Sequence, residues 1–382
     1  MKVKISLNNL LSVLIILIIS EPDYFKQIEN NSINTLFVIT QIIIGIIFTT
    51  YFFVIYRGNL LQNKAGFLLI LIDVWILLVT FLRHGNLYAA FAKLLTITVM
   101  VEVYEWYGDK KDRLINNLML CFELLLYYQF VEMITTTNDG AYWFLGQQNE
   151  LFRYMLPGFC VSLLYGYMHN NYYRTIPLCI AINVIAVYSK SSTTLLCILV
   201  LDLFTFGYRL TKLLNAKVLV SSVVILFVFI VLIQSSSLNG IITSLFGKST
   251  TYHGRAPIWQ YVIRQILNHP IIGSGRGNFF VSQWYEATHS HDYYLELAFR
   301  GGIIAVILFV AVVKNVILKL FQYKGTQIYV FLLGAVIVYF VSSIVEVHEY
   351  HLTFLVFLLA YDIDKIIESM KGKENNYVIS NG

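Results

Sequence analysis

The chain has 382 residues, 58% of them hydrophobic and only 13% charged, with a mean hydropathy of +0.68 and a formal net charge of +5. This composition excludes an ordinary soluble globule and points to an all-α polytopic membrane protein. The expected architecture is about twelve transmembrane helices, each of about 20 mostly apolar residues, with one large extracytoplasmic loop before the tenth span.

From the N-terminus the candidate spans are 7–20, 34–56, 65–82, 87–104, 114–134, 152–168, 175–188, 192–208, 217–234, 297–318, 327–345 and 350–367. Glu21-Pro22-Asp23 follows the first span in place of a small-residue cleavage site, so that span reads as a retained anchor and not a signal peptide. Lys93 interrupts the fourth span, and Glu123 and Glu132 the fifth. With both termini cytoplasmic, the inward segments collect most of the 27 basic residues, among them Lys2, Lys4, Arg57, Lys110, Lys111, Arg113, Lys314, Lys319 and Lys365. That bias is the positive-inside pattern, and it places the long segment before the tenth span outside. The domain plan is then helices 1–9 in residues 1–234, a large extracytoplasmic loop in 235–296, helices 10–12 in 297–367 and a polar cytoplasmic tail in 368–382. The expected location is a bacterial plasma membrane.

Within the spans, Asp73, Glu102, Glu123 and Glu132 are costly in lipid and are expected to face the bundle interior, pairing with Lys93 or buried polar groups. Cys121, Cys160, Cys179 and Cys197 lack paired spacing and read as small buried apolar residues. Tyr142, Trp143, Phe144, Trp284 and Tyr285 read first as an interfacial aromatic belt, with stacking on sugar rings as the alternative. A cytoplasmic nucleotide-binding domain is absent from this plan, which counts against an ATP-driven transporter.

The loop carries the chemistry. Arg255, Arg264 and Arg276 can hold phosphate, His289 and His291 can move protons, and the glycines at 273, 275 and 277 let a backbone approach a ligand closely. Pro257 to Asn268 reads as a short interfacial helix with Pro257 in its first turn and Pro270 just past its end. Gln260, Arg264 and Asn268 share one face of it, and Ile258, Trp259, Val262 and Ile266 supply the other. Arg264 would then reach a lipid headgroup or simply be solvated. Gly273-Ser-Gly-Arg-Gly277 is not a dinucleotide fingerprint, because no strand-helix unit surrounds it. His289, His291 and Asp292 with His348, Glu349 and His351 offer metal-ligand types, but His348 to His351 lacks the four-residue spacing of a zinc-protease helix. Neither a metal nor a cofactor is expected.

Several motifs in order resemble the O-antigen ligase and Wzy polymerase superfamily. They are Arg255-Ala-Pro-Ile-Trp259, His269-Pro-Ile-Ile-Gly273-Ser-Gly275, His289-Ser-His-Asp-Tyr-Tyr-Leu-Glu296 and Gly301-Gly302. Upstream, Ser189-Lys-Ser-Ser-Thr-Thr-Leu-Leu196 is similar to the family's short outer turn, and Gly146-Gln-Gln-Asn149 is a third, weaker match. Asp292 stands where the family usually has Asn, and Lys190 where Arg is common.

The resemblance implies a GT-C-like membrane glycosyltransferase that takes a glycan from undecaprenyl diphosphate on the outer face, with inversion and without a metal. It also implies the roles. Arg255 would stabilise the diphosphate, supported by Arg276, Arg264 and Lys190, since guanidinium suits phosphate oxygens. His291 would be the general base with His289 assisting, and Asp292 or Glu296 would orient an imidazole. Gly273 and Gly275 would line the substrate site. The implied partners are the lipid-linked oligosaccharide donor and acceptor, membrane lipids, and other polysaccharide export and chain-length proteins; nucleic acid is not among them. The leading function is a polysaccharide polymerase that moves the growing chain to the non-reducing end of the next lipid-linked repeat unit. A surface-polysaccharide ligase of the same superfamily is the near alternative, and a lipid-linked oligosaccharide flippase the distant one.

Overall fold

Apolar runs long enough to bury their own backbone hydrogen bonds become helices throughout the described residues. The computed structural model describes residues 7–22, 24, 31–136, 143–206, 255–277, 279, 289–348 and 351–370. In chain order the helices are α1 (Leu7–Ile19), α2 (Asn31–Thr50), α3 (Lys64–Leu82), α4 (Leu87–Trp106), α5 (Lys111–Thr135) and α6 (Phe152–His169). They continue with α7 (Thr175–Tyr188), α8 (Ser192–Phe206), α9 (Arg255–Asn268), α10 (Tyr293–Phe321), α11 (Gln327–Ser343) and α12 (His351–Tyr361). Among the described residues the nearest thing to a strand is one isolated bridge, Trp143 with Gly146.

Five of these stretches are long and apolar enough to cross a membrane: Thr35–Ile55, α3, α4, α5 and α10. Helices α1, α7, α8, α11 and α12 are apolar but shorter. Every expected span except the ninth, 217–234, coincides with a described helix. That span, most of the loop in 235–296, the tail from 371 onward, Glu349, Tyr142, Trp284 and Tyr285 lie outside the described residues.

Short polar side chains set the helix starts. Asn63 caps α3 through Gly66 N at 2.9 Å, Asn86 caps α4 through Ala89 N at 3.0 Å, and Thr326 caps α11 through Tyr329 N at 3.2 Å. Asp292 caps α10 through Leu295 N at 2.9 Å, so this helix begins at Tyr293 and not at the expected 297.

Helix α12 is buried on every side, from His351 to Tyr361, and packs against α3, α4, α6, α10 and α11. A helix apolar all round belongs in the middle of a bundle, and this one is its central post. At one end of it, Lys111 Nζ lies 3.3 Å from Asp362 Oδ2, Lys319 Nζ lies 2.6 Å from Asp364, and the Tyr104 hydroxyl donates to Leu358 O at 3.0 Å. Lysines assigned to inward segments therefore gather together, and the motifs at Asn149, Ser191, His291 and Glu346 meet at the other end.

The intramembrane carboxylates find partners, though one differs from expectation. Glu123 pairs with Arg174, which follows α6, and not with Lys93. Glu102 accepts from Thr49 Oγ1 at 3.0 Å, Glu132 accepts from Phe144 N at 2.8 Å, and Asp73 lies 4.0 Å from Arg276. All four cysteines are free and buried, as the spacing suggested. Trp143 is buried in the core, which removes it from an interfacial belt.

Helix α10 is broken near its start. Gly302 has φ 61° and ψ −162°, and the break withdraws the carbonyls of Phe299, Arg300 and Gly301 from helical pairing. Each finds a donor elsewhere: Ser274 N reaches Phe299 O at 2.7 Å, Gly275 N reaches Arg300 O at 3.0 Å, and Trp75 Nε1 reaches Gly301 O at 2.8 Å. On the other side of the break, Ile303 N donates to Pro270 O at 2.9 Å. Irregular backbone in a membrane protein persists only where protein satisfies it, and residues 270–275 do so here.

Candidate functional site

The segment that leads into α10 is held by three bonds. Ser290 N donates to Glu296 Oε2 at 2.7 Å, Ser290 Oγ donates to Asp292 O at 2.6 Å, and Trp259 Nε1 of α9 donates to Ser290 O at 2.6 Å. His291 sits in this clamp with φ 55°, a left-handed conformation that a non-glycine residue holds only when its surroundings impose it. The imidazole is turned toward the turn after α11, where its Nδ1 lies 3.3 Å from Glu346 Oε1.

In that contact the carboxylate accepts, so Nδ1 of His291 is the donor and Nε2 is the ring nitrogen not turned to Glu346. His289 has the opposite arrangement, because its Nδ1 accepts from His291 N at 3.2 Å and its Nε2 therefore bears the hydrogen. The two rings stand edge to face with centroids 4.2 Å apart. Burial, and then the neighbouring His291, push the His289 pKa below the ordinary imidazole range, so His289 is neutral at pH 7.

Glu346 also lines a narrow cleft of about 20 Å³ with Asn149, Phe152, Ser191, Thr193, Thr194, Ser342, Val345 and His348. Ser191 caps α8 through Thr194 N at 3.2 Å and donates its hydroxyl to Asn149 Oδ1 at 2.7 Å. Two motifs separated by 42 positions thus share one wall. The His348 ring is tilted against Phe152 with centroids 5.1 Å apart, and burial lowers its pKa to about 4. The cleft presents hydroxyl, amide and carboxylate groups, and Glu346 links it to the His291 imidazole.

The other expected site residues are distributed around this centre. Lys190, with φ 55°, is exposed in the turn that carries Ser191. Arg255 is the first residue of α9, one turn before Trp259. Arg264 is on the exposed face of α9 with Gln260 and Asn268, opposite the buried Ile258, Trp259 and Val262, as the sequence pattern predicts. Arg276 turns to Asp73, and its backbone N–H donates to Thr80 Oγ1 at 2.9 Å, so it fastens the loop to α3.

Two expectations change. Gly273 and Gly275 approach the chain's own backbone: a Cβ on Gly273 would lie 2.6 Å from Gly302 N, and one on Gly275 2.8 Å from Thr80 Cα. The second concerns Asp292 and Glu296, whose hydrogen bonds serve the start of α10 and the Ser290 segment. Asp292 is the α10 cap, and Glu296 is held between Ser290 N and Arg300, the latter at 2.5 Å. The imidazole partner is Glu346, which the sequence pattern does not mark. Arg300 and Arg83 were also not marked; Arg83 holds the loop through Gly273 O at 3.3 Å and His269 Nδ1 at 3.1 Å.

His289, His291 and Glu346 are also the one group among the described residues with metal-ligand atoms within 4.8 Å of one another. A metal there would take the His291 nitrogen that faces Glu346 or the one that remains basic, and in either case would compete with its acid–base use.

Residues 177–310 match the family model described as O-antigen ligase, which supports the O-antigen ligase and Wzy superfamily indicated by the motifs. The matched segment contains α7, α8, α9, the His289–Asp292 clamp and the break at Gly302; Asn149 and Glu346 lie outside it. No curated protein and no solved structure matches the chain.

Proposed function

We propose, from the O-antigen ligase match and the cleft beside His291, that the protein is a polysaccharide polymerase acting on the outer face of a bacterial plasma membrane. The observation that carries this reading is a partly exposed imidazole, 31% accessible, paired with Glu346, a carboxylate that also lines a hydroxyl-bearing cleft. The acceptor is the non-reducing end of a lipid-linked repeat unit, and the donor is a glycan on undecaprenyl diphosphate. His291 Nε2 takes the proton of the acceptor hydroxyl as its oxygen bonds to the anomeric carbon. The bond from that carbon to the diphosphate oxygen breaks, and the lipid diphosphate leaves with the electron pair. Attack from the opposite face inverts the anomeric centre.

Charge on the departing diphosphate needs fixed cations. Arg255 suits this role because it opens α9, the helix that Trp259 bonds to the histidine segment, and a helix N-terminus adds its own positive field. Lys190 on the cleft turn and Arg264 are the supporting cations; Arg276, tied to Asp73, acts on loop position. The scheme uses neither nucleotide nor metal.

Purified protein given synthetic lipid-diphosphate repeat units is expected to produce a ladder of longer lipid-linked glycans. His291→Ala should lower the rate by about 10²-fold or more, the contribution of a general base. A ladder that survives both His291→Ala and Arg255→Ala removes the site assignment. Transfer to a different acceptor without a ladder makes the protein a ligase, and translocation of lipid-linked sugar with no new bond makes it a transporter.

A further inference from the structure

The geometry points to Glu346 as the positioning residue of the His291 base, acting through Nδ1 from the turn between α11 and α12. The inference rests on the proposed glycosyl transfer for its kinetic consequence, and on geometry alone for its structural one. Glu346 Oε1 lies 3.3 Å from His291 Nδ1 and also accepts from its neighbour Val347 N at 3.2 Å, which fixes the carboxylate as well as the ring. Its side chain is only 11% accessible, so water competes weakly for the contact.

The other charged groups around the pair have separate duties. Glu296 is matched by Arg300, which leaves that carboxylate on the α10 side without a role toward His291. His289 presents Nδ1 to the His291 amide and packs edge to face on the His291 ring, while the polar contact to Nδ1 comes from Glu346. His348, two positions beyond Glu346, is kept neutral by burial, with Glu346 opposing that shift and Arg153 of α6 adding to it.

The consequence follows from what an imidazole does during transfer. Before the reaction Glu346 selects the tautomer with a lone pair on Nε2; afterwards it faces the imidazolium that proton transfer creates. Glu346 is also one of several residues that line the cleft, so the cleft and the imidazole share one side chain. Fifty-five positions separate it from His291, and the link is made only when α11 returns beside α10.

The test is a series of variants at one position. Glu346→Ala should lower kcat by about 10²-fold with KM within about twofold of wild type, because orientation of the base is lost and acceptor binding is largely kept. Glu346→Asp should recover about tenfold of that loss, since the carboxylate is retained on a shorter stem. Glu346→Gln keeps shape and loses charge, and serves if the alanine variant does not fold; it should also lower kcat by at least about tenfold. In protein labelled with ¹⁵N-histidine, solid-state NMR should show His291 as the Nδ1–H tautomer in wild type and as a mixture in Glu346→Ala. A kcat within about threefold of wild type in both Glu346→Ala and Glu346→Gln overturns the inference while leaving the transferase reading intact. An unchanged His291 tautomer in Glu346→Ala overturns it as well. A wild type that makes no ladder defeats the functional reading alone, and the tautomer still decides what Glu346 does.

Discussion

Trp259 Nε1 donates to Ser290 O at 2.6 Å, and this one bond ties the helix that begins at Arg255 to the segment that holds His289 and His291. The proposed phosphate-binding and proton-accepting groups are therefore mechanically joined before any substrate arrives. Trp259→Phe keeps the apolar contact with Leu295 and Phe299 but strands the buried carbonyl, at a cost of about 1–3 kcal/mol. Its expected effect is a kcat loss of roughly tenfold in the ladder assay, with the protein still monodisperse on size exclusion.

Asp292 departs from the Asn usual in the resembling family, and its geometry explains why either residue serves. Its role here is to cap α10 through Oδ1, and Asn caps as well as Asp. Asp292→Asn should leave activity within about threefold of wild type, whereas Asp292→Ala should lower stability by about 1 kcal/mol, read as a fall in thermal midpoint.

Gly302 admits no side chain. A Cβ there would lie 2.2 Å from Ile271 O, and its φ of 61° is already costly for other residues. Gly302→Ala should reduce the folded yield in detergent more strongly than Gly325→Ala, where φ is also positive but no atom lies within 4 Å. Equal yields would show that the break is soft.

Stability should fall in acid through His348. Its pKa drops from 6.5 to about 4 on burial, so between those values the unfolded chain binds a proton that the folded one refuses. That difference destabilises the fold progressively as pH falls from about 6.5, reaching about 3 kcal/mol near pH 4, and is absent above pH 7. His289 adds to it in the same direction. Thermal unfolding at pH 7 and pH 4.5 measures the effect, and His348→Leu should flatten the difference.

Zinc should inhibit. His289, His291 and Glu346 offer three ligand atoms within 4.8 Å, and occupancy would remove the base. The ladder assay should be indifferent to EDTA and slowed by micromolar-range zinc. Rate loss on EDTA treatment, restored by zinc, would instead make the metal a participant.

The helices were legible because a span is a local property, a run of apolar residues of sufficient length. The amphipathic pattern of α9 was legible for the same reason, down to exposed Arg264 and buried Val262. What could not be read was pairing across the bundle. Glu346 stands in an unremarkable turn, and only the return of α11 brings it to His291. The glycines at 273 and 275 misled for a related reason: their positive φ was foreseeable, but whether a ligand or a backbone came close was not. Arg276 read as a phosphate cation because its partner, Asp73, lies on α3 some two hundred positions earlier.

The break in α10 ties that helix to the loop before it. Three of its carbonyls depend on Trp75, Ser274 and Gly275, all of which precede α10 in the chain. Residues 270–275 precede α10 in the chain and lie beside α3, held by Arg83 and by Arg276 O through Asn86 N at 2.8 Å. A substitution in this segment that leaves every apolar run untouched is therefore expected to loosen α10 as well as the loop.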